Sequence, residues 1–301
     1  MRTVVILGAT ASGKSDLSIK LAQEMDAYIL SLDSLSIYKY IDIASAKPTK
    51  EERGEILHFG IDEIEPDQNF SVALFFEIYK KADKKAKEDN KNLIIVGGTG
   101  FYLKALIEGI NDKPTISQET KKRVQEKMEN LQKAYQTIEK LDYDYAKKIS
   151  PNDRYRIEKW FEIYIQSGEV ASEYFKNSDK EPLLREYELY EIETDRELLR
   201  ERIKLRTHKM IQNGLIDEVI WLERNYTREP NCMKAIGIKE TLDYLDGIYN
   251  KKQMREKIIT NTARLAKRQR TFNSTQFPLH VKADAKTLYD KILLNDNPYQ
   301  Y

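Results

Sequence analysis

The feature that most constrains this chain is its first strand with the loop behind it, Val4-Val5-Ile6-Leu7-Gly8-Ala9-Thr10-Ala11-Ser12-Gly13-Lys14-Ser15. Consecutive apolar residues predict a buried strand, and the G-x-x-x-x-G-K-S pattern that follows predicts a phosphate loop opening a helix. Gly8 and Gly13 permit backbone angles that a Cβ disfavours, so the N–H groups between them can turn inward on an anion. Lys14 and the amino end of the helix add positive potential, and the Ser15 hydroxyl is a candidate ligand for Mg²⁺. The expected fold class is therefore α/β, a parallel-sheet core containing a phosphate loop, with the site at the carboxyl ends of the strands.

Taken in order, the chain supplies further pieces of such a fold. Asp16 to Glu24 has helical periodicity, and Ala27 to Leu32 reads as a second strand ending in Asp33-Ser34. A carboxylate at that position is a candidate general base; it is equally a candidate cap for a helix over Ser34 to Tyr38. Ile56 to Ile61 predicts a short strand, and Ser71 to Lys87 a helix with Val72, Phe75, Phe76 and Tyr79 inward and a solvated lysine face. Leu93-Ile94-Ile95-Val96 reads as a central strand and runs into Gly97-Gly98-Thr99-Gly100. A phosphate-loop ATPase would usually carry a Mg²⁺-binding Asp there, so Thr99 argues against a motor or switch ATPase. The glycines either let a substrate approach the backbone or form a plain turn.

Asp112-Lys113-Pro114-Thr115 reads as a linker, and from there to about Lys180 only helical patterns follow. In one of them Ser150 is expected as N-cap, Pro151 as first helical residue and Asp153 as capping-box partner, with Ile157, Trp160, Phe161, Tyr164 and Ile165 inward and Gly168 at the end. Glu188 to Glu193 then returns the chain to the sheet. The expected division is a core of residues 1–113 and 185–301 with a helical insertion of 114–184. With 50 Lys and Arg against 49 Asp and Glu, the chain as a whole does not attract nucleic acid, so an RNA site requires local segregation of charge. Two basic stripes supply it: Arg202, Arg206 and Lys209, then Arg264, Lys267 and Arg268 within an acid-free run from Thr262 to Arg270. Structural ion pairing is the alternative use of such charges. A lone Cys232 excludes an internal disulfide and a thiolate zinc cluster, and His58, His208 and His280 are too scattered for a metal site. No apolar run reaches the roughly 18 residues of a membrane span, and no signal segment precedes the first strand, so a cytoplasmic location away from membranes is expected.

Six stretches in order resemble the bacterial tRNA dimethylallyltransferase family: Gly8 to Ser15, Asp33-Ser34-Leu35-Ser36-Ile37-Tyr38, Ala46-Lys47-Pro48-Thr49, Val96 to Leu106, Pro151-Asn152-Asp153-Arg154 and Ala266-Lys267-Arg268-Gln269. The resemblance runs from residue 3 to about residue 277. It implies transfer of a dimethylallyl group from dimethylallyl diphosphate, with Mg²⁺, to N6 of the adenosine beside the anticodon of tRNA. By the same resemblance Gly8, Thr10, Ala11, Ser12, Gly13, Lys14 and Ser15 hold the diphosphate, with Ser15 on the metal. Asp33 accepts the N6 proton, Thr99 binds the reacting end of the donor, and Arg206 lies near the leaving group. Asp33, Ser34, Leu35 and Ser36 grip the flipped base. Tyr155, Arg156, Ile157, Glu158 and Lys159, together with the segment Ala235 to Glu240, contact the anticodon stem-loop. The stripe Arg264, Lys267 and Arg268 is expected to do likewise, and the insertion to act as a movable clamp on a monomer. Ser36 stands where many members have Gln, Ser45 where many have Thr, and Phe272-Asn273 where Trp-Phe is usual; one of Lys121, Lys122 and Arg123 matches a basic residue near the donor channel. Three other functions remain to be separated from this one: an adenylate isopentenyltransferase acting on a free nucleotide, a small-metabolite kinase, and a non-catalytic RNA-binding protein.

Overall fold

The computed structural model describes residues 1–111, 114–177 and 180–299; Asp112 and Lys113 of the expected linker lie outside the described residues. The chain forms two compact units, Met1–Ile107 with Leu183–Tyr301, and Glu108–Pro182. In chain order the first unit begins with β1 (Thr3–Gly8), α1 (Lys14–Glu24), β2 (Ala27–Ser31), α2 (Lys50–Arg53), β3 (His58–Phe59), α3 (Val72–Glu88), β4 (Asn92–Gly97) and α4 (Gly100–Glu108). The second unit holds α5 (Gln118–Met128), α6 (Leu131–Leu141), α7 (Tyr143–Ala146), α8 (Arg154–Ser167) and α9 (Ala171–Asn177). The chain then returns through β5 (Glu188–Ile192), α10 (Arg196–Gln212), α11 (Leu215–Tyr226), a short 3₁₀ turn, α12 (Ile238–Leu245), α13 (Lys251–Gln276), β6 (Val281–Ala283) and α14 (Ala285–Leu293).

The six strands form one parallel sheet in the order β3-β2-β4-β1-β5-β6. β1 lies between β4 and β5, so Val4 to Leu7 have no exposure to water and need no polar alternation. Alternate side chains feed two cores. Val5, Leu7, Ile95 and Leu189 pack with Phe75 of α3 and Met254 and Ile258 of α13, while Val4, Ile6, Ile94 and Tyr190 pack with Leu17 of α1 and Leu288 of α14. The expected strand over Ile56 to Ile61 shortens to His58–Phe59, because it pairs only with β2 at the sheet edge. Leu183 and Leu184 return to the sheet unit by donating their N–H groups to Leu106 O (2.9 and 3.0 Å).

In the second unit Trp160 and Phe161 of α8 are buried with Val124 of α5 and Ile138 of α6. Buried Asp142 organises them: it accepts from Trp160 Nε1 (2.9 Å), Ser172 N (2.9 Å) and Tyr145 N (3.2 Å). Burial opposes its charge, but these donors together hold its carboxyl below the usual range. The α8 start differs from expectation. Asp153 is the N-cap, accepting from Arg156 N (3.0 Å), whereas Ser150 and Pro151 form the preceding turn, where Ser150 Oγ takes the Asn152 N–H. The Asp side chain reaches the N3 donor itself, so the helix begins one turn later. Gly168 at φ +81° ends it as expected.

Candidate active site

Parallel register brings three strand ends to one level: Ile6 pairs with Val96, and Val96 with Ser31. Leu32 N donates to Val96 O (2.7 Å), which carries the segment after β2 alongside the end of β4. A cleft of about 1670 Å³ opens there, and its lining includes Thr10 to Ser15, Asp33 to Ser36, Thr99 and Arg206. Gly8 ends β1 outside that lining and shapes the loop from behind.

The loop has the geometry of an anion cradle. Gly13, at φ +95°, is the left-handed residue immediately before α1, and Ala11 is also left-handed at φ +65°. Lys14 Nζ donates to Ala9 O (2.6 Å), which holds the ammonium over the loop. Burial pushes the Lys14 pKa down to about 8; Asp33 opposes that shift and Arg206 adds to it. Arg206 is itself lowered by burial, with Asp33 opposing. Its guanidinium donates to Thr10 Oγ1 (3.2 Å) and Ser45 O (3.3 Å), and Arg202 Nη1 donates to Ser12 O (3.1 Å). The stripe expected on α10 for RNA is therefore divided: Arg202 and Arg206 turn onto the phosphate loop.

Asp33 reconciles its two readings. Its Oδ1 accepts from Leu35 N (2.8 Å) and Ser36 N (3.2 Å), capping a turn rather than a helix over 34–37. Oδ2 takes neither bond and remains available to a substrate. Ser36 and Leu35 are thereby fixed against the cleft, Ser36 nearly buried and Ser34 exposed. Thr99 sits just before α4 in a glycine turn and lines the cleft.

Gln269 of α13 ties the two loops together, a contact that the sequence offered only as part of a quoted motif. Its Oε1 accepts the Thr10 N–H (2.8 Å), and its Nε2 lies 2.2 Å from where a Cβ on Gly98 would stand. Gly98 is thus a close approach and not merely a turn. Lys47 of the quoted Ala46 to Thr49 stretch is structural: nearly buried, it donates to Tyr38 O, Asp42 and Asp62. Asn273, of the Phe272-Asn273 pair that stands where Trp-Phe is usual in the family, is buried and donates to Glu191 Oε1 (2.8 Å).

On α13, Arg264, Lys267 and Arg268 are exposed and have no carboxylate partner among the described residues, as an RNA-facing stripe requires. In the insertion Tyr155 and Arg156 are exposed, with Glu158 and Lys159 half-buried beside them. Ile157 must be corrected: it is fully buried in the helical core with Trp160, so its side chain anchors α8 and offers no surface to a partner. Lys121, Lys122 and Arg123 are exposed on α5. Ser15 is exposed at the first turn of α1, a hard oxygen donor suited to Mg²⁺. Among the described residues no group of three His, Cys, Asp or Glu could hold a metal.

A parallel sheet with a cationic phosphate loop after β1, a carboxylate just after β2 and no acidic residue ending β4 defines a phosphate-loop group transferase. A profile of the IPP transferase family matches residues 36–276. The chain belongs to that family. It is 56% identical to the tRNA dimethylallyltransferase of Sulfurovum sp. (strain NBC37-1) over 295 residues, 98% of each chain, and 55% identical to that of Nautilia profundicola over 96% of this chain and 98% of the relative. Among solved structures it resembles the full-length tRNA isopentenylpyrophosphate transferase of Bacillus halodurans, with a TM-score of 0.70 and 28% identity over 97% of this chain and 95% of that one. A eukaryotic dimethylallyltransferase acting on tRNA superposes with a TM-score of 0.78 at 28% identity, covering 90% of this chain and 70% of that one.

Proposed function

We infer that this chain is a tRNA dimethylallyltransferase: it transfers the dimethylallyl group of dimethylallyl diphosphate to N6 of the adenosine 3′-adjacent to the anticodon and releases diphosphate. The observation that carries this reading is the cleft itself, in which a cationic phosphate loop faces Asp33 and Thr99 rather than an acidic metal site at the end of β4. In the reaction the allylic C–O bond breaks with its electron pair going to the diphosphate, and N6 supplies the pair for the new C–N bond. Lys14, Arg206 and the N–H groups of Ala11 and Gly13 stabilise the negative charge that develops on the leaving group. Asp33 Oδ2 takes the N6 proton while Oδ1 stays on its turn, so the base keeps its position during the transfer. Thr99 orients the reacting end of the donor. Mg²⁺ held by Ser15 and the diphosphate oxygens would supply further neutralisation of that charge. The adenine must leave the anticodon stack to enter, and Ser34 to Ser36 line its path. Exposed Tyr155, Arg156, Arg264, Lys267 and Arg268 offer cations and an aromatic ring to the RNA.

Incubation with dimethylallyl diphosphate and either tRNA or AMP, followed by mass analysis of the nucleosides, tests the reading. Prenylated adenosine in tRNA is expected. Prenylated AMP with unmodified tRNA would make the chain an adenylate isopentenyltransferase instead.

A further inference from the structure

One helix of the sheet unit clamps the segment that follows the Asp33 turn. In the first turn of α11, Glu218 Oε2 accepts from Asp42 N (2.8 Å) and Ile43 N (2.7 Å), and Oε1 from Ala44 N (2.9 Å). Trp221, one turn further along, lies 4.9 Å from the ring of Tyr40 at 51°, and Tyr226 lies 6.4 Å from Tyr40 at 27°. Tyr40 has φ +63°, a conformation that its Cβ disfavours and that Glu218 helps to hold. Yet these rings are not packing material: Tyr40 keeps 46% of its surface exposed and Trp221 keeps 41%. A contact serving only to fix the turn would bury them, and Glu218 already fixes it with three hydrogen bonds.

We propose that Tyr40 and Trp221 form a stacking platform for an unpaired nucleobase of the anticodon loop, a neighbour of the adenosine that enters the cleft. The proposal rests on the tRNA reading above. Tyr40 lines the same cleft as Asp33 and follows Ser36 by four residues, so the platform is continuous with the path of the flipped base. Flipping one base out removes a stacking partner from its neighbours, and aromatic rings replace such a partner with little regard to base identity. Arg224, one turn beyond Trp221 on α11, is exposed and has no carboxylate partner among the described residues, which leaves its guanidinium for the phosphate of that nucleotide.

The chain has two tryptophans, and Trp160 is fully buried, so acrylamide quenching of the fluorescence reports chiefly on Trp221. Saturation with an anticodon stem-loop RNA should protect Trp221 from acrylamide. Trp221→Ala should raise KM for the RNA by about five- to hundredfold, the range of one lost base stack, without changing donor affinity, and Trp221→Phe should restore most of it. Replacing loop nucleotides one at a time by an abasic sugar should abolish the protection at a single position outside the target adenosine. Prenylated RNA with an unchanged acrylamide response, or a Trp221→Ala KM within twofold of the parent, overturns the platform alone. A parent chain that prenylates no RNA overturns the tRNA reading, and the platform with it.

Discussion

The lowered pKa of Lys14 gives donor binding a pH dependence that can be worked out in advance. Burial brings this ammonium to about 8, so it is about 0.9 protonated at pH 7, half protonated at pH 8 and about 0.1 protonated at pH 9. Only the cation neutralises a diphosphate. Binding therefore raises the Lys14 pKa, and affinity is fully present below pH 8 and lost as pH rises through it. The dissociation constant should climb about twofold from pH 7 to 8 and about tenfold from pH 7 to 9. The terminal phosphate, with a second pKa near 6, is already ionised across that window and adds no slope. Calorimetric titration with a non-hydrolysable dimethylallyl diphosphate analogue reads both consequences. At pH 8 about half a proton should be taken up per ligand, seen as a heat that depends on the ionisation enthalpy of the buffer. Lys14→Gln should bind more weakly but with no such slope. In the ligand-free chain the sign differs: an unfolded lysine, near 10.5, holds a proton that the folded one has lost, so this residue adds stability as pH rises from 8 towards 10.5. A parent affinity that is flat from pH 7 to 9, or a decline equally steep in Lys14→Gln, refutes the reasoning.

Asp33→Asn keeps an oxygen for the Leu35 and Ser36 N–H groups, so thermal stability should hold while single-turnover prenylation falls about 10²- to 10⁴-fold; an unchanged rate excludes Asp33 as the base. Gly98→Ala places a Cβ against the Gln269 amide and removes the acceptor of the Thr10 N–H. The loss of about 1 kcal/mol should weaken donor binding about fivefold, and repeating the change in a Gln269→Ala background should add little. Asp142→Ala strands the Trp160 indole N–H and the Ser172 N–H, and thermal unfolding followed through Trp160 should show the helical unit destabilised by about 3 kcal/mol; an unshifted transition contradicts that role. Arg264→Ala should reduce the salt dependence of tRNA affinity by about one unit of slope, and an identical slope means that Arg264 touches no phosphate.

Much of the site was legible in the chain because its parts are local. The phosphate loop is a run of eight residues whose glycines, lysine and serine must be adjacent to work, and the apolar run of β4 announced a central strand by lacking polar alternation. Asp33 was legible as a strand-end carboxylate, and its double use as cap and free oxygen follows from its having two oxygens. Ile157 was misplaced because a motif read along the chain includes whichever residue the helix turns inward. Arg202 and Arg206 looked like one stripe with Lys209 because helical spacing gives a face but not what lies opposite it.

By itself, then, the sequence determined the phosphate loop, the strand that carries it, the class of chemistry, and the run of helices between β4 and β5. Each is written in contiguous residues whose spacing is fixed by backbone geometry. Tertiary structure decided what reaches the loop from 190 or more residues away: Arg202 on Ser12, Arg206 on Thr10, and Gln269 between Thr10 and Gly98. It also decided that Glu218 holds the turn after Tyr40 and leaves Tyr40 and Trp221 facing water. Those contacts depend on how α10, α11 and α13 pack within the sheet unit, and an arrangement set by the packing of whole helices leaves no local pattern in the residues that meet there.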